Sequence, residues 1–227
     1  MKGTSRLVSS NQDGLHPRLD EVVRRHLSHD HLAPIAPHVR AVFEAMDGLV
    51  KDRQSPVILD CGCGTGDSTR WLAAAHRQHL VLGIDKSHSR LTRQREEEDP
   101  DNMALFRGDL FGLYPLLASA DWDITANFLL YPNPWPKAAH LQRRFHGGPS
   151  FRHVLNVGKT LILRSNWLIY IKEFERALEI SGIKSRLVQL GEGPAISPFE
   201  QKYRASGHDL WELAAELDKT GRKQVGG

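Results

Sequence analysis

Alternate glycines follow a short apolar run that ends in an acid, and this pattern can bind a cofactor. The apolar run 57–59 leads to Asp60, and the glycines behind it are Gly62, Gly64 and Gly66. Glycine permits positive φ and lets a ligand approach the backbone closely. A dinucleotide-binding loop needs a third glycine three positions after the second, where this chain has Asp67. Its carboxylate would repel a pyrophosphate but suits ammonium and sulfonium charges, so the pattern predicts a loop for S-adenosylmethionine (SAM).

Two further acids follow apolar runs in the same manner. Asp85 ends the run 80–84, about 20 residues past the glycines, where an acid can accept hydrogen bonds from a ribose diol. Asp109 ends a third run. Each piece alone also fits an ordinary strand-to-helix turn of an α/β protein. The residues predicted to hold the cofactor are Asp60, Gly62, Gly64, Gly66, Asp85 and Asp109.

A parallel sheet would bring these acids together, and the hydrophobic pattern predicts one. Strands are predicted at 57–60, 80–85, 104–109, 123–131, 159–164 and 185–190, and helices at 87–98, 151–156 and 167–180. Strands that alternate with helices are typical of an α/β fold with a parallel sheet. Ligands of such sheets bind at the carboxyl ends of the strands, where the three acids stand.

Composition is that of an ordinary globular protein. The 227 residues are 40% hydrophobic and 25% charged. The chain lacks an apolar run near the roughly 18 residues of a membrane span, and its first residues lack a signal core, so we expect a cytoplasmic protein. The net charge of +3 and pI of 8.9 are only mildly basic. Cys61 and Cys63 are expected to be buried thiols in a reducing compartment, not a disulfide.

The chain is predicted to divide into three parts. These are a helical N-terminal extension (1–50), a catalytic domain (51–217) and a flexible tail (218–227). His26, His29 and His31 stand close together in the extension, but no cysteine or acid is spaced to complete a regular ligand pattern with them. A solvated loop is therefore preferred to a metal site, and no metal is predicted.

A proline-rich, basic segment follows the fourth predicted strand. Pro132, Pro134 and Pro136 would stiffen the loop that leaves the strand. Trp135 offers a flat face on which a base or the cofactor could stack. The basic residues that follow are Lys137, His140, Arg143 and Arg144. Such a cluster can neutralise phosphates of an RNA, although a plain proline-rich loop with a solvated basic helix start fits the same residues.

This segment, L-Y-P-N-P-W-P-K-A-A-H-L-Q-R-R-F at 130–145, closely resembles the signature F-P-D-P-W-P-K-x-R-H-x-K-R-R of bacterial tRNA (guanine-N7)-methyltransferases. The segment S-P-F-E at 197–200, with G-H at 207–208, resembles that family's T-x-F-E…G-H. The resemblance covers roughly residues 55–215. It implies a Rossmann-like class I methyltransferase, in which helices cover both faces of a mostly parallel seven-stranded sheet. It also implies SAM as methyl donor and N7 of a guanine in tRNA, in the variable loop, as acceptor.

The resemblance further assigns roles by motif matching. Asn133 is the catalytic position, and the substrate-binding positions are Lys137, Asn166, Ser197, Phe199 and Glu200. The RNA-binding positions are His140, Arg143 and Arg144. A monomer or weak homodimer is expected.

The chain departs from the family's pattern in ways that bear on activity. Asn133 and Asn166 stand where the family has aspartates, and Ala139 and Gln142 replace basic residues. Guanine N7 carries a lone pair and no proton, so its methylation needs positioning and no general base. Three interpretations remain: the family's ordinary activity, methylation of another RNA or a small molecule, and a catalytically weak protein that binds tRNA or SAM.

Overall fold

A seven-stranded sheet forms the centre of the computed structural model, which describes residues 5–29, 34–93 and 98–217. The strand order is β3-β2-β1-β4-β5-β7-β6. The strands are β1 Val57–Cys61, β2 Leu80–Asp85, β3 Met103–Arg107, β4 Ile124–Leu130, β5 Thr160–Ser165, β6 Ser185–Gln189 and β7 Trp211–Glu216. Among the strands described, β7 alone runs opposite to the rest, and it pairs antiparallel with β5 and β6. The predicted α/β fold is confirmed, and six of these strands fall where the pattern predicts them.

Eight α-helices surround the sheet in the described part of the chain, and two 3₁₀ helices span Ala138–Arg143 and Phe145–Gly147. The α-helices are α1 Leu19–Ser28, α2 Pro37–Arg53, α3 Asp67–Ala75, α4 His88–Leu91, α5 Leu110–Ser119, α6 Phe151–Val154, α7 Leu168–Ile180 and α8 Pro198–Ala205. The predicted helix 87–98 is wrong in its extent, because α4 ends at Leu91 and residues 94–97 lie outside the described residues. Leu91 is the only apolar residue of that stretch, so a longer helix would have no face to bury.

The first two helices share one hydrophobic core with the sheet. Val22 and Val23 of α1 and Met46 of α2 are buried in the same cluster as Leu59 of β1 and Phe174 of α7. The predicted boundary at residue 50 therefore falls inside α2, a helix of that core. His31 and the predicted tail 218–227 lie outside the described residues. None of the described helices is both long and apolar enough to cross a membrane.

Candidate functional site

The glycine loop joins β1 to α3 through three residues in the left-handed region of backbone space. Gly62, Gly64 and Gly66 have φ of +90°, +61° and +79°. A Cβ on Gly66 would lie 2.8 Å from the side chains of Leu105 and Arg70. The loop shape therefore requires glycine for both its backbone angles and its close packing.

Asp60, the acid that precedes the loop, is completely buried. Its Oδ2 accepts hydrogen bonds from Ser68 Oγ (2.6 Å) and Thr69 Oγ1 (2.7 Å), which ties the end of β1 to the first turn of α3. Its Oδ1 has no hydrogen-bond partner among the described residues. Desolvation, with a smaller contribution from the charge of Asp85, raises the pKa of Asp60 to about 6. The unpartnered oxygen is fully buried, so its contact with a cationic ligand stays a prediction.

Asp85 ends β2 beside the loop and organises it. Its Oδ2 accepts from the Gly64 N–H (3.0 Å) and from the Arg90 guanidinium (3.2 Å), and its Oδ1 accepts from the Ser87 N–H (2.8 Å). Phe199 of α8 reaches over the same loop, with its ring 3.9 Å from where a Cβ on Gly64 would stand. Asp85 therefore holds the glycine loop in shape, and its contact with a cofactor ribose stays a prediction.

Asp109 follows the end of β3 and is exposed. Its Oδ2 accepts from the Gly112 N–H (3.3 Å), so it caps the N-terminus of α5. Its contact with a cofactor stays a prediction.

The proline-rich loop leaves β4 in a strained conformation. Tyr131 and Trp135 have φ of +52° and +46°, a region that non-glycine residues rarely adopt. Between them Asn133 is exposed, and its Oδ1 accepts from the Trp135 N–H (3.3 Å). Strain of this kind persists where the surroundings enforce it, commonly at functional sites.

Basic groups gather around the Trp135 ring. The Arg143 guanidinium lies over the ring at 4.8 Å from its centroid, and His140 meets the ring edge-on at 5.5 Å. Partial burial and the positive charges of Arg143 and Lys137 lower the pKa of His140. The imidazole is therefore neutral at pH 7, and the charge of this surface comes from the exposed Lys137 and Arg143.

Arg144 does not belong to that surface, and its predicted RNA contact is corrected by its complete burial. Its guanidinium pairs with the Glu173 carboxylate of α7 and donates to the Trp135 carbonyl (3.0 Å) and to Gln12 Oε1 (3.1 Å). His146 Nε2 lies 2.9 Å from the same carboxylate. Arg144 therefore fixes the proline-rich loop from within the protein.

The segment 197–200 begins α8 and is mostly structural. Ser197 caps the helix by accepting from the Glu200 N–H (3.2 Å). Glu200 is fully buried and pairs with Arg164 and Arg204, each at 2.9 Å. Its predicted contact with substrate is corrected, because both carboxylate oxygens are committed to arginines. Phe199 is the exposed member, at 40%.

Asn166 stands just beyond β5, next to the loop that leaves β4. Its Nδ2 lies 3.0 Å from Nδ1 of His208. The sequence assigned no role to His208, Glu173 or Gln12. Two of them carry a sequence signal: His208 belongs to the G-H pair of the resemblance, and Glu173 is an acid among the buried apolar residues of α7.

A family model and several known proteins match this chain. The model of the family Methyltransf_4, described as "Putative methyltransferase", matches residues 54–213. The chain is similar to the "tRNA (guanine-N(7)-)-methyltransferase" of Nocardia farcinica, at 35% identity over 95 residues, 40% of this chain and 35% of that protein. The match thus spans about a third of that relative's length. Proteins of the same name from Burkholderia lata (26% identity, 80% of this chain and 71% of that protein) and Salmonella choleraesuis (27%, 74% and 74%) match more of the chain.

Solved structures show the same fold. One is a 16S rRNA (adenine(1408)-N(1))-methyltransferase from Catenulisporales acidiphilia with cosubstrate SAM, at a TM-score of 0.55 and 19% identity over 78% of this chain and 93% of that one. Another is the 16S rRNA methyltransferase KamB, at a TM-score of 0.54 and 15% identity over 76% of this chain and 93% of that one. At these identities the likeness concerns the fold alone.

Proposed function

Because the chain belongs to the Methyltransf_4 family of methyltransferases, we propose that it transfers a methyl group from SAM to N7 of a guanine in tRNA. The observation that carries the proposal is one edge of the sheet. There a loop with three positive-φ glycines lies beside a strained P-N-P-W-P-K loop at the end of the neighbouring strand. Relatives of that name support tRNA as the substrate.

The residues of the glycine loop fit SAM. The free Oδ1 of Asp60 would accept from the ammonium group. Asp85, at the end of the second strand, would accept from the ribose hydroxyls. The loop glycines leave room for the ligand against the backbone. SAM, when bound, supplies an electrophilic methyl group on a sulfonium sulfur.

The chain's task at the acceptor is to hold guanine in line with that methyl. N7 carries no proton, so a group that removes one is not required. Asn133 and Asn166 follow the ends of the adjacent strands β4 and β5, and this position supports a role for both amides in hydrogen-bonding the base. An amide at each position is compatible with transfer, because it can position the base and the reaction does not need a carboxylate to remove a proton.

The RNA would approach over the surface formed by Lys137 and Arg143. Both side chains are exposed near the proline-rich loop and can neutralise phosphates. The proposal describes a cytoplasmic enzyme that acts as a monomer or weak homodimer.

The test is methyl transfer from labelled SAM to unmodified tRNA transcripts, with chain cleavage to map N7-methylguanine. Wild-type signal at one guanine is the expected result. The Asn133→Asp variant is the matched comparison, because it changes the amide alone. Signal only in that variant would mean that the wild-type site is weakened. SAM binding without transfer to any tRNA, in both proteins, would reject the proposal.

A second substrate class is favoured by one observation. The acceptor edge offers neither of the expected aspartates, and the nearby Glu200 is neutralised by Arg164 and Arg204. Without a free carboxylate at these positions, the site would not discriminate by charge between tRNA and other phosphate-rich RNAs. Transfer to total RNA depleted of tRNA, under conditions where tRNA transcripts stay unmethylated, would support this alternative.

A further inference from the structure

A chain of hydrogen bonds connects the backbone of Ser5 to the side chain of Asn166. Nε2 of His208 lies 3.1 Å from the Ser5 carbonyl oxygen, and Nδ1 of His208 lies 3.0 Å from Nδ2 of Asn166. The imidazole is 9% exposed and stacks on Tyr203, with ring centroids 5.3 Å apart. The ring is therefore held in place on its face as well as at both nitrogens.

These contacts fix the direction of each hydrogen bond. A carbonyl oxygen only accepts, so Nε2 of His208 carries the proton that it donates to Ser5. In a neutral imidazole the other nitrogen, Nδ1, is then an acceptor, and it receives an N–H from Asn166 Nδ2. Oδ1 of Asn166 is left as an acceptor, and no described residue donates to it.

Asn133 is oriented in the opposite sense. Its Oδ1 accepts from the Trp135 N–H, so its Nδ2 is the atom left to donate, and none of the residues that the structure describes accepts from it. Leu130 and Arg164 are partners in the parallel ladder of β4 and β5. Asn133 and Asn166 follow that pair by three and two residues, so they stand beyond adjacent strand ends. Two carboxylates there would offer acceptors only.

We propose that His208 is a positioning residue that makes this site selective for guanine. Held by the Ser5 carbonyl, it keeps Asn166 Oδ1 available to accept from the exocyclic N2 amino group of the base, while Asn133 Nδ2 donates to O6. Adenine presents the opposite polarity, with a donor at N6 and an acceptor at N1, and would leave both amides unpaired. This inference rests on the proposed function, because it assigns the recognition of the base that is methylated.

The test compares tRNA transcripts that carry guanosine or inosine at the methylated position, since inosine lacks only the N2 amino group. The wild-type enzyme should prefer guanosine in kcat/KM by about tenfold, the worth of one neutral hydrogen bond. His208→Phe keeps the stack on Tyr203 but removes both nitrogens. Its ratio of kcat/KM for guanosine to that for inosine should fall to about one, while KM for SAM stays unchanged. His208→Asn retains an acceptor near the position of Nδ1 and should keep the preference.

Two controls separate positioning from folding. Asn166→Ala, at a partly exposed position, removes Oδ1 itself and should also abolish the preference for guanosine, even if His208→Phe does not fold. A wild-type enzyme that shows no preference, or an Asn166→Ala variant that keeps it, would overturn the inference.

The tautomer of His208 gives a readout that does not depend on tRNA. In protein with ¹⁵N-labelled histidine, long-range ¹H–¹⁵N spectra should show His208 protonated at Nε2 and unprotonated at Nδ1, assigned by loss of the signal in a His208 variant. A proton on Nδ1 would show that His208 does not accept from Asn166, and this would overturn the inference even in an active enzyme. Failure of wild-type methyl transfer would reject the proposed function separately. The tautomer would then still show whether His208 accepts the hydrogen bond from Asn166.

Discussion

Asp60 is a buried carboxylate whose two oxygens stand in different surroundings. One carboxylate oxygen is used to connect β1 to α3 through Ser68 and Thr69, and the other is left buried without a partner among the described residues. Such a carboxylate is less stable when ionised than it would be in water, and this explains the raised pKa of Asp60. A cationic ligand at Oδ1 would relieve that cost.

The first prediction concerns the pH dependence of stability. Native Asp60 keeps its proton up to about pH 6, whereas the unfolded chain releases it at about pH 4. Its contribution to stability is therefore fully present below pH 4 and is lost as the pH rises to 6, by about 3 kcal/mol. The amide introduced by Asp60→Asn cannot ionise. The free energy of unfolding of this variant, relative to wild type, should therefore rise by that amount between pH 4 and pH 7 in urea titrations without SAM.

A constant difference between the two proteins over that range would contradict the assignment. SAM affinity supplies the second readout, because Asp60→Asn removes the negative charge and should weaken binding at pH 7 although the fold is retained.

Arg143 and Arg144 are neighbours with opposite roles, which gives a matched pair for the second prediction. Arg144→Lys keeps the charge but loses the planar group that bonds Glu173 and the Trp135 carbonyl together, and should destabilise the protein by about 3 kcal/mol. Arg143→Ala should leave stability within about 0.5 kcal/mol. It should weaken tRNA binding and reduce the salt slope by about one.

Thermal melts and tRNA titrations over a range of salt concentrations measure the two effects. Equal loss of stability in both variants would contradict the buried placement of Arg144.

The sequence predicts some of these residues well and others not at all, for a physical reason. The glycines and the acids at strand ends depend on local backbone requirements, so a short stretch of sequence reveals them. The burial of Arg144 depends on Glu173 and Gln12, which are distant in the chain, and nothing within the basic string distinguishes it from Arg143. The role of His208 likewise depends on Ser5, about two hundred positions away.

At the scale of elements, a strand and a helix approach closely behind the glycine loop. A Cβ on Gly83 of β2 would lie 2.5 Å from Thr69 Oγ1 of α3 and 2.6 Å from the Leu105 side chain. Since Thr69 also holds Asp60, the small size of Gly83 determines how α3 sits over β1 and β2.

The third prediction follows from this contact. Gly83→Ala should destabilise the protein by about 2 kcal/mol through overpacking and should lower SAM affinity, because Thr69 must move away from Asp60. Gly48→Ala, at an exposed position inside α2, is the control and should stabilise by about 0.5 to 1 kcal/mol. Denaturant unfolding and SAM titration measure both variants. A Gly83→Ala variant with unchanged stability and SAM affinity would show that β2 and α3 can move apart without cost.

Elements differ in how far their sequence predicts them. The buried parallel strand β1 begins with three apolar residues in a row and is evident at once. β7, with the sequence W-E-L-A-A-E, has residues that favour helices, and pairing on both sides makes it a strand. α5 contains Pro115, which obscures the helical pattern. Tertiary contacts decide both of these elements.

At the scale of the whole molecule, one buried carboxylate holds distant segments together. Glu173 of α7 accepts from Gln12 Nε2 (2.5 Å), from the His16 N–H (2.9 Å) and from Arg144 and His146. Burial alone would raise the pKa of Glu173, but the hydrogen bond from His146 and the charge of Arg144 outweigh it and lower that pKa. The start of the described chain is thereby joined to the core.

The fourth prediction is acid instability with a defined origin. A lowered carboxylate pKa adds stability above about pH 4.5 that is lost as the pH falls further. Glu173→Gln should lower stability by about 3 kcal/mol at pH 7, because it leaves the buried Arg144 uncompensated. This deficit should shrink as the pH falls below 4.5. Glu179→Gln, at an exposed position of the same helix, is the control and should change stability by less than about 0.5 kcal/mol.

Melting temperatures between pH 2 and pH 8 test this prediction. A deficit that stays constant down to pH 2 would contradict an ionised native Glu173.

The contacts of Ser5 and Gln12 also impose an order on folding while the chain is made at the ribosome. The contacts of the glycine loop and its acids described above with other residues of this half use residues 57–112, so the cofactor half can assemble while the chain is still being made. Gln12 must wait for residue 173, Ser5 for residue 208, and β5 for β7 to fill its free edge. Long loops must close before these contacts form, which makes them slow. A nascent chain paused before residue 208 would therefore hold a formed donor site and an unfinished acceptor site.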